Sequence, residues 1–172
     1  LISQHADSLG APTACENAGV PNVSYNGSTQ AACPNTYIIS SRINWAPYYE
    51  YAIKAVMDGT EIDVDWTGTL ATNSVVLTAL NTTVAAEGTA EAIAAATEKL
   101  EKGEIHVFDC STFTVKGEAL TSYKADVDTD DAYTPDTEVV HDGYFSESEF
   151  RSAPYFDLQI DGINLLDTNF GG

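Results

Sequence analysis

IISSRINWAPYYEYAIKAVMDG, residues Ile38 to Gly59, reads as a strand, a loop and a helix in immediate succession. The run Tyr37-Ile38-Ile39-Ser40-Ser41 has the length and branching of a buried strand. Asn44 offers a helix N-cap, because its short side chain can accept from the free N–H groups of a first turn. Pro47 suits that turn, where its missing N–H has no partner to lose. Tyr49, Ile53 and Val56 follow at helical spacing, and Tyr48, Ala52 and Met57 widen the apolar stripe. Gly59 stands where a left-handed residue ends a helix. The loop Arg42-Ile43-Asn44-Trp45 then lies where a strand's carboxyl end meets a helix's amino end. In open α/β sheets such crevices bind ligands.

Upstream, the same alternation repeats. Leu1 to Gln4 reads as a short strand, and His5-Ala6-Asp7-Ser8 as a polar turn. Asp7 or Ser8 can cap a helix from about Leu9 to Ala18, which Gly19 ends. Val20 to Tyr25 is the next strand, closing at the turn dipeptide Asn26-Gly27. Strand, helix, strand, strand, helix favours an α/β fold with a parallel sheet. Downstream, Ser74-Val75-Val76-Leu77 is an apolar run, and Asn81 to Gly88 a loop. Thr89 can cap a helix from Ala90 to Lys102, supported by Glu98 and Lys102 four apart. Ile105-His106-Val107-Phe108 reads as a further strand. Residues 111 to 143, rich in Thr, Asp and Gly, read as hairpins and loops. Phe145 to Glu149 carries capping-box spacing for a short helix, and Tyr155 to Ile163 is a tail with one apolar side.

Composition narrows the function classes. The chain has 172 residues, 44% of them hydrophobic, enough for one domain with a real core. No run approaches the roughly 18 apolar residues of a membrane span. A formal charge of −19, with only 7 Lys and Arg, argues against nucleic acid and against direct adhesion to anionic lipid. Such acidity fits a secreted or surface protein. Cys15, Cys33 and Cys110 are too few and too scattered for a zinc site or disulfide scaffold. Cys15 and Cys33, the nearer pair, could form one bridge, leaving Cys110 as a buried thiol. Asn22, Asn26 and Asn81 head Asn-x-Ser/Thr triplets, which matter only in a eukaryotic secretory host. The chain opens inside a strand with neither initiator Met nor signal segment, so it is expected to be a piece of something longer.

Chemistry-bearing motifs are sparse. The acidic run Asp126 to Asp131 invites calcium, but Asp131 and Thr137 occupy the positions where an EF-hand needs Gly and Glu. An exposed acidic loop is the better reading. His5 and Asp7, two apart on an extended segment, could be half of a metal or catalytic pair, yet hydrogen bonding to a ligand or neighbouring loop suits them better. No phosphate-binding Gly loop or Gly-x-Ser-x-Gly is present, and Cys110 has no motif to activate it. Trp45, in the loop before the helix, is a candidate to face a cleft. The expectation is therefore no catalytic residue, no cofactor and no metal. Two readings stand behind it: an α/β enzyme with a His5/Asp7 cleft pair, and a surface module whose acidic loop binds calcium.

Gln4-His5-Ala6-Asp7-Ser8, Asn44-Trp45-Ala46-Pro47-Tyr48-Tyr49 and Ala55-Val56-Met57-Asp58-Gly59-Thr60 resemble the basic membrane protein (Bmp/Med) family, the substrate-binding lipoproteins of ABC importers. The likeness continues through Trp66-Thr67-Gly68, Val76-Leu77, Lys102-Gly103, His106-Val107-Phe108, Phe145-Ser146-Glu147 and Asp161-Gly162-Ile163. The Asn-Trp-x-Pro-Tyr-Tyr run is its most specific part. The resemblance implies one lobe, the carboxy-terminal, of a two-lobed type I periplasmic-binding fold: a three-layer α/β sandwich with a mostly parallel sheet, the amino-terminal lobe lying outside this chain. Residues 111 to 143 would be a β-rich insertion. It implies transport, an extracytoplasmic lipoprotein on the bacterial cell surface or in the periplasm, a small polar solute, and a membrane permease as partner. Some members bind nucleosides through an acid after the second strand and a base after the third. Asn26 and Ile43 stand at those positions here, which counts against a nucleoside. The strand ends give the expected ligand-binding set: His5, Asp7, Ser8, Tyr25, Asn26, Asn44 and Trp45.

Overall fold

The computed structural model describes residues 1–128, 130–147, 149–150 and 155–166. The chain divides into two compact units. The first comprises Leu1–Val64 and Gly68–Glu104, the second Asp65–Thr67 and Ile105–Gly172.

The first unit is α/β. Strand β1 (Ile2–Ser3), helix α1 (Gly10–Ala18), strand β2 (Asn22–Tyr25), strand β3 (Tyr37–Ile43) and helix α2 (Ala46–Asp58) follow the expected order. Strand β4 (Val75–Leu77) and helix α3 (Thr89–Glu101) complete it. The sheet runs β1-β2-β3-β4, with β1, β2 and β3 parallel and β4 antiparallel to β3. It is mixed, with one of its three pairings antiparallel. Asn44 supplies the reason. Its N–H donates to the Ser74 carbonyl at 2.7 Å and its Nδ2 to the Asn73 carbonyl at 2.9 Å. The chain therefore enters β4 beside the carboxyl end of β3 and has to run back along it.

Gly19 and Gly59 end α1 and α2 in the left-handed conformation, at φ 66° and 68°, as their sequence positions predict. The next residues, Val20 and Thr60, then donate to carbonyls five positions back, closing each helix end. The amino ends differ from expectation. Leu9, Trp45 and Gly88 hold the three N-cap positions, and none makes a side-chain capping bond. Asp7 and Ser8 lie two and one residues too early, Thr89 is already helical, and Asn44 spends its amide on Asn73 while its Oδ1 only reaches the Ala46 N–H at 3.4 Å. Glu98 and Lys102 do pair, at 2.5 Å.

The apolar stripe of α2 is not buried. Tyr49, Ile53, Val56 and Met57 are all exposed, Met57 to 80%, and Ala55 is the helix's buried residue. Periodicity identifies side chains that share a face; it does not supply a cover for that face. The sheet's interior is partly polar. Asn22 donates to Thr36 Oγ1 at 3.0 Å, and the fully buried Tyr37 shares a hydrogen with Thr78 Oγ1 at 2.6 Å. Two of the three glycosylation triplets begin at buried Asn22 and Asn81, whose amides are already donating; Asn26 is the exposed one.

The second unit is built from hairpins with two-residue strands: β5 (Thr114–Val115) with β6 (Glu118–Ala119), β7 (Lys124–Ala125) with β8 (Thr137–Glu138), and β9 (Val140–His141) with β10 (Tyr144–Phe145). Hairpins in 111 to 143 were expected. The strand at Ile105 to Phe108 was not found: His106 stacks flat on Tyr144 at 3.6 Å and Phe108 on Phe156 at 4.1 Å, so the segment bends to deliver rings to the hairpins. Phe145, expected to open a short helix, belongs to β10; Ser148 of that helix lies outside the described residues, as does Thr129 of the acidic run. The core gathers Cys110, Ala125, Val139, Val140, Phe145 and Tyr155. No helix among the described residues is long and apolar enough to cross a membrane.

One carboxylate organises β7 and β8. Glu138 accepts from the Ser122 hydroxyl at 2.5 Å, the Tyr123 N–H at 2.8 Å and the Val140 N–H at 3.0 Å. These bonds hold its pKa at about 2, from an ordinary 4.5. A depressed folded-state pKa gives stability that is full above about 4.5 and is lost as pH falls toward about 2. Glu138→Gln is expected to flatten the acid limb of the second unit's stability in that window, modestly because the group is exposed. An NMR titration midpoint near 4.5 for Glu138 would contradict this.

Candidate functional site

The parallel strands β1 and β2 finish side by side, and past their carboxyl ends the chain opens a depression of about 230 Å³. Gln4 leaves β1 with its N–H on the Val23 carbonyl, 3.2 Å away. Asn26 leaves β2 at φ 60°, a left-handed conformation that Asn tolerates, and its N–H donates to the Ser41 carbonyl at 2.7 Å. The turn after β1 and the loop after β2 thus form two walls of one hollow. Gln4, Asp7, Ser8, Tyr25, Asn26, Ser28 and Thr29 supply its polar lining.

Four of the seven residues expected from sequence, Asp7, Ser8, Tyr25 and Asn26, come together here. His5 does not line the hollow; its ring stacks on Tyr25, centroids 4.4 Å apart, and steadies that wall from outside. Among the described residues, no hydrogen bond or ion pair joins His5 to Asp7. Asn44 and Trp45 belong to the end of β3. Asn44 is tied to Asn73, and Trp45, 54% exposed, stacks on Tyr49 with centroids 6.1 Å apart.

Sequence reading missed Gln4, Ser28 and Thr29. Gln4 Oε1 is a buried acceptor with no hydrogen-bond partner among the described residues. Leaving such an atom unpaired costs about 1–3 kcal/mol, so a turn of the Gln4 side chain that brings it to a donor in the hollow is favoured. A Gln as the last residue of a parallel strand was the available signal; Thr29 could be placed only once the loop was folded. Close by, α1 starts with no side-chain cap.

Other candidates resolve locally. Asp126, Asp128 and Asp130 accept from the N–H groups of Thr134, Asp130 and Ala132, as residues of a self-bonded loop do. No three His, Cys, Asp or Glu side chains gather as a metal site among the described residues. Cys110 is buried, and burial together with Asp109 pushes its thiol pKa up, so the nucleophilic thiolate is disfavoured. No protein-family model matches the chain, and no curated protein matches it.

Proposed function

We propose that the chain is the carboxy-terminal lobe of a two-lobed solute-binding lipoprotein of an ABC importer, working outside the cytoplasm and delivering a small polar solute to a membrane permease. The finer fold proposed with it is the three-layer sandwich of a type I periplasmic-binding lobe. The observation that carries the reading is the unpartnered Gln4 Oε1 beside a polar hollow at the carboxyl ends of two parallel strands. Gln4 and Asp7 offer acceptors, Asn26 both a donor and an acceptor, and Tyr25 an aromatic wall backed by His5. That set suits a solute carrying hydroxyl or amino donors. It orients a ligand without chemistry, since no nucleophile–base pair is assembled there. The opposite lobe would complete the cleft, so this chain alone binds weakly.

The test uses the chain itself, with a panel of sugars, polyols and amino compounds screened at millimolar concentration by NMR. Signals of Gln4, Asp7 and Asn26 are expected to move together with one class. Gln4→Ala and Asp7→Ala are each expected to weaken that binding roughly tenfold, the value of a hydrogen bond to a charged or buried group. Melting temperature should stay within about 2 °C. Variants that melt much lower yet bind normally would place the site elsewhere. Solute turnover abolished by His5→Ala would replace transport with catalysis.

A further inference from the structure

The second unit holds its own hollow of about 230 Å³, walled by Tyr123, Tyr133, Tyr155, Phe156, Asp126 and Asp157. Its volume is several times the roughly 30 Å³ share of one water. Four rings and two carboxylates face it, and among the described residues no basic side chain lines it. We infer that this hollow is a binding site for a small organic ammonium ion.

Ring faces carry negative potential and attract a cation whose own surface is methyl or methylene, while carboxylates supply the compensating charge. Three of the four rings are set before any ligand arrives. Tyr123, Tyr155 and Phe156 pack around the fully buried Phe145 with centroids 5.7, 6.0 and 4.7 Å from it. The Tyr155 hydroxyl donates to the Ser146 carbonyl. Little side-chain freedom is left to lose on binding.

The carboxylates are half engaged. Asp157 Oδ1 accepts from the Tyr123 hydroxyl at 2.5 Å, and Asp126 Oδ2 from the Thr134 N–H at 3.1 Å. The second oxygen of each has no partner among the described residues and is open to a cation. That bond and burial push the Tyr123 pKa up to about 12, so the phenol stays neutral and its proton stays on the Asp157 bond. A calcium ion is a poorer fit, because it needs six to eight oxygens and this hollow offers two carboxylates among four aromatic rings. Tyr133, 74% exposed, stands at the rim.

Choline is the probe, its neutral carbon isostere 3,3-dimethylbutan-1-ol the control, and calcium chloride the competitor, each titrated into the full chain by NMR. Choline is expected to move the ring signals of Tyr133 and Tyr155 saturably, with the isostere at least roughly tenfold weaker. Tyr133→Leu removes an exposed ring, and Asp157→Asn keeps an acceptor for Tyr123, so both variants should fold. Each is expected to weaken choline roughly three- to tenfold. Equal binding of choline and its isostere would overturn the inference, as would no saturable binding of choline. Calcium binding lost in Asp126→Asn but untouched by Tyr133→Leu would overturn it in favour of a metal.

Discussion

Phe145→Ala is expected to cost the second unit about 3–5 kcal/mol, the range for deleting a fully buried aromatic ring. Phe145 has no exposed surface and is the ring against which Phe108, Tyr123, Tyr155 and Phe156 all pack. It also lies in β10, where its pairing with Val140 closes a hairpin of only two residues a side. Short hairpins are marginal by themselves, so their stability comes from the shared aromatic core. Whole domains are stable by only about 5–15 kcal/mol, and the loss is a large share of that. The measurement is denaturant unfolding followed by NMR signals assigned to each unit, since one midpoint is undefined where units open separately. A change below about 1 kcal/mol in second-unit signals would show that the cluster is not what holds the hairpins.

Asn81→Asp should cost the first unit a similar amount at neutral pH. Asn81 is buried, and its Nδ2 donates to the carbonyls of Tyr37 and Pro34 at 2.9 and 3.0 Å. Its Oδ1 meanwhile accepts from the Thr83 N–H and hydroxyl at 3.2 and 2.7 Å. The substitution turns the donor into an anionic oxygen facing two carbonyl oxygens. An uncompensated buried charge costs about 3–5 kcal/mol. The sign with pH is fixed by the same clash. The introduced carboxyl is disfavoured when charged, so its folded-state pKa is raised and the deficit shrinks as pH falls through that value. Thermal melts of variant and wild type at pH 7 and pH 5 give the comparison, and a deficit that grows on acidification would refute the account.

The first 59 residues were the most legible part of the chain. Gly19 and Gly59 punctuate two helices, the strand runs between them alternate with those helices, and the parallel order follows. What escaped was whatever local pattern does not encode. Asn44 reads as a cap by type and position, but a residue 29 places away claims its amide. The direction of β4 follows from that same long-range bond. Ile105 to Phe108 has strand composition, yet its aromatic rings find better partners in the hairpins. The α2 stripe predicted a buried face and instead exposes one, because amphipathic spacing is a property of a helix alone and burial a property of its neighbours. At the candidate site, Asp7, Ser8, Tyr25 and Asn26 were legible since parallel strands necessarily end on one edge. Gln4 was not, because an orphaned acceptor is visible only once every nearby donor has been placed.

Cys15, Cys33 and Cys110 are all buried and all unbridged. The native state therefore rests on no covalent cross-link, and reductant has nothing in it to cut. The hazard falls earlier in the protein's life. In an oxidising compartment the unfolded chain presents three thiols of which two can join, and every such pairing is non-native. In such a compartment folding would have to bury the sulfurs before an oxidant reached them, and the speed of forming each unit, rather than its final stability, would set the yield of native protein.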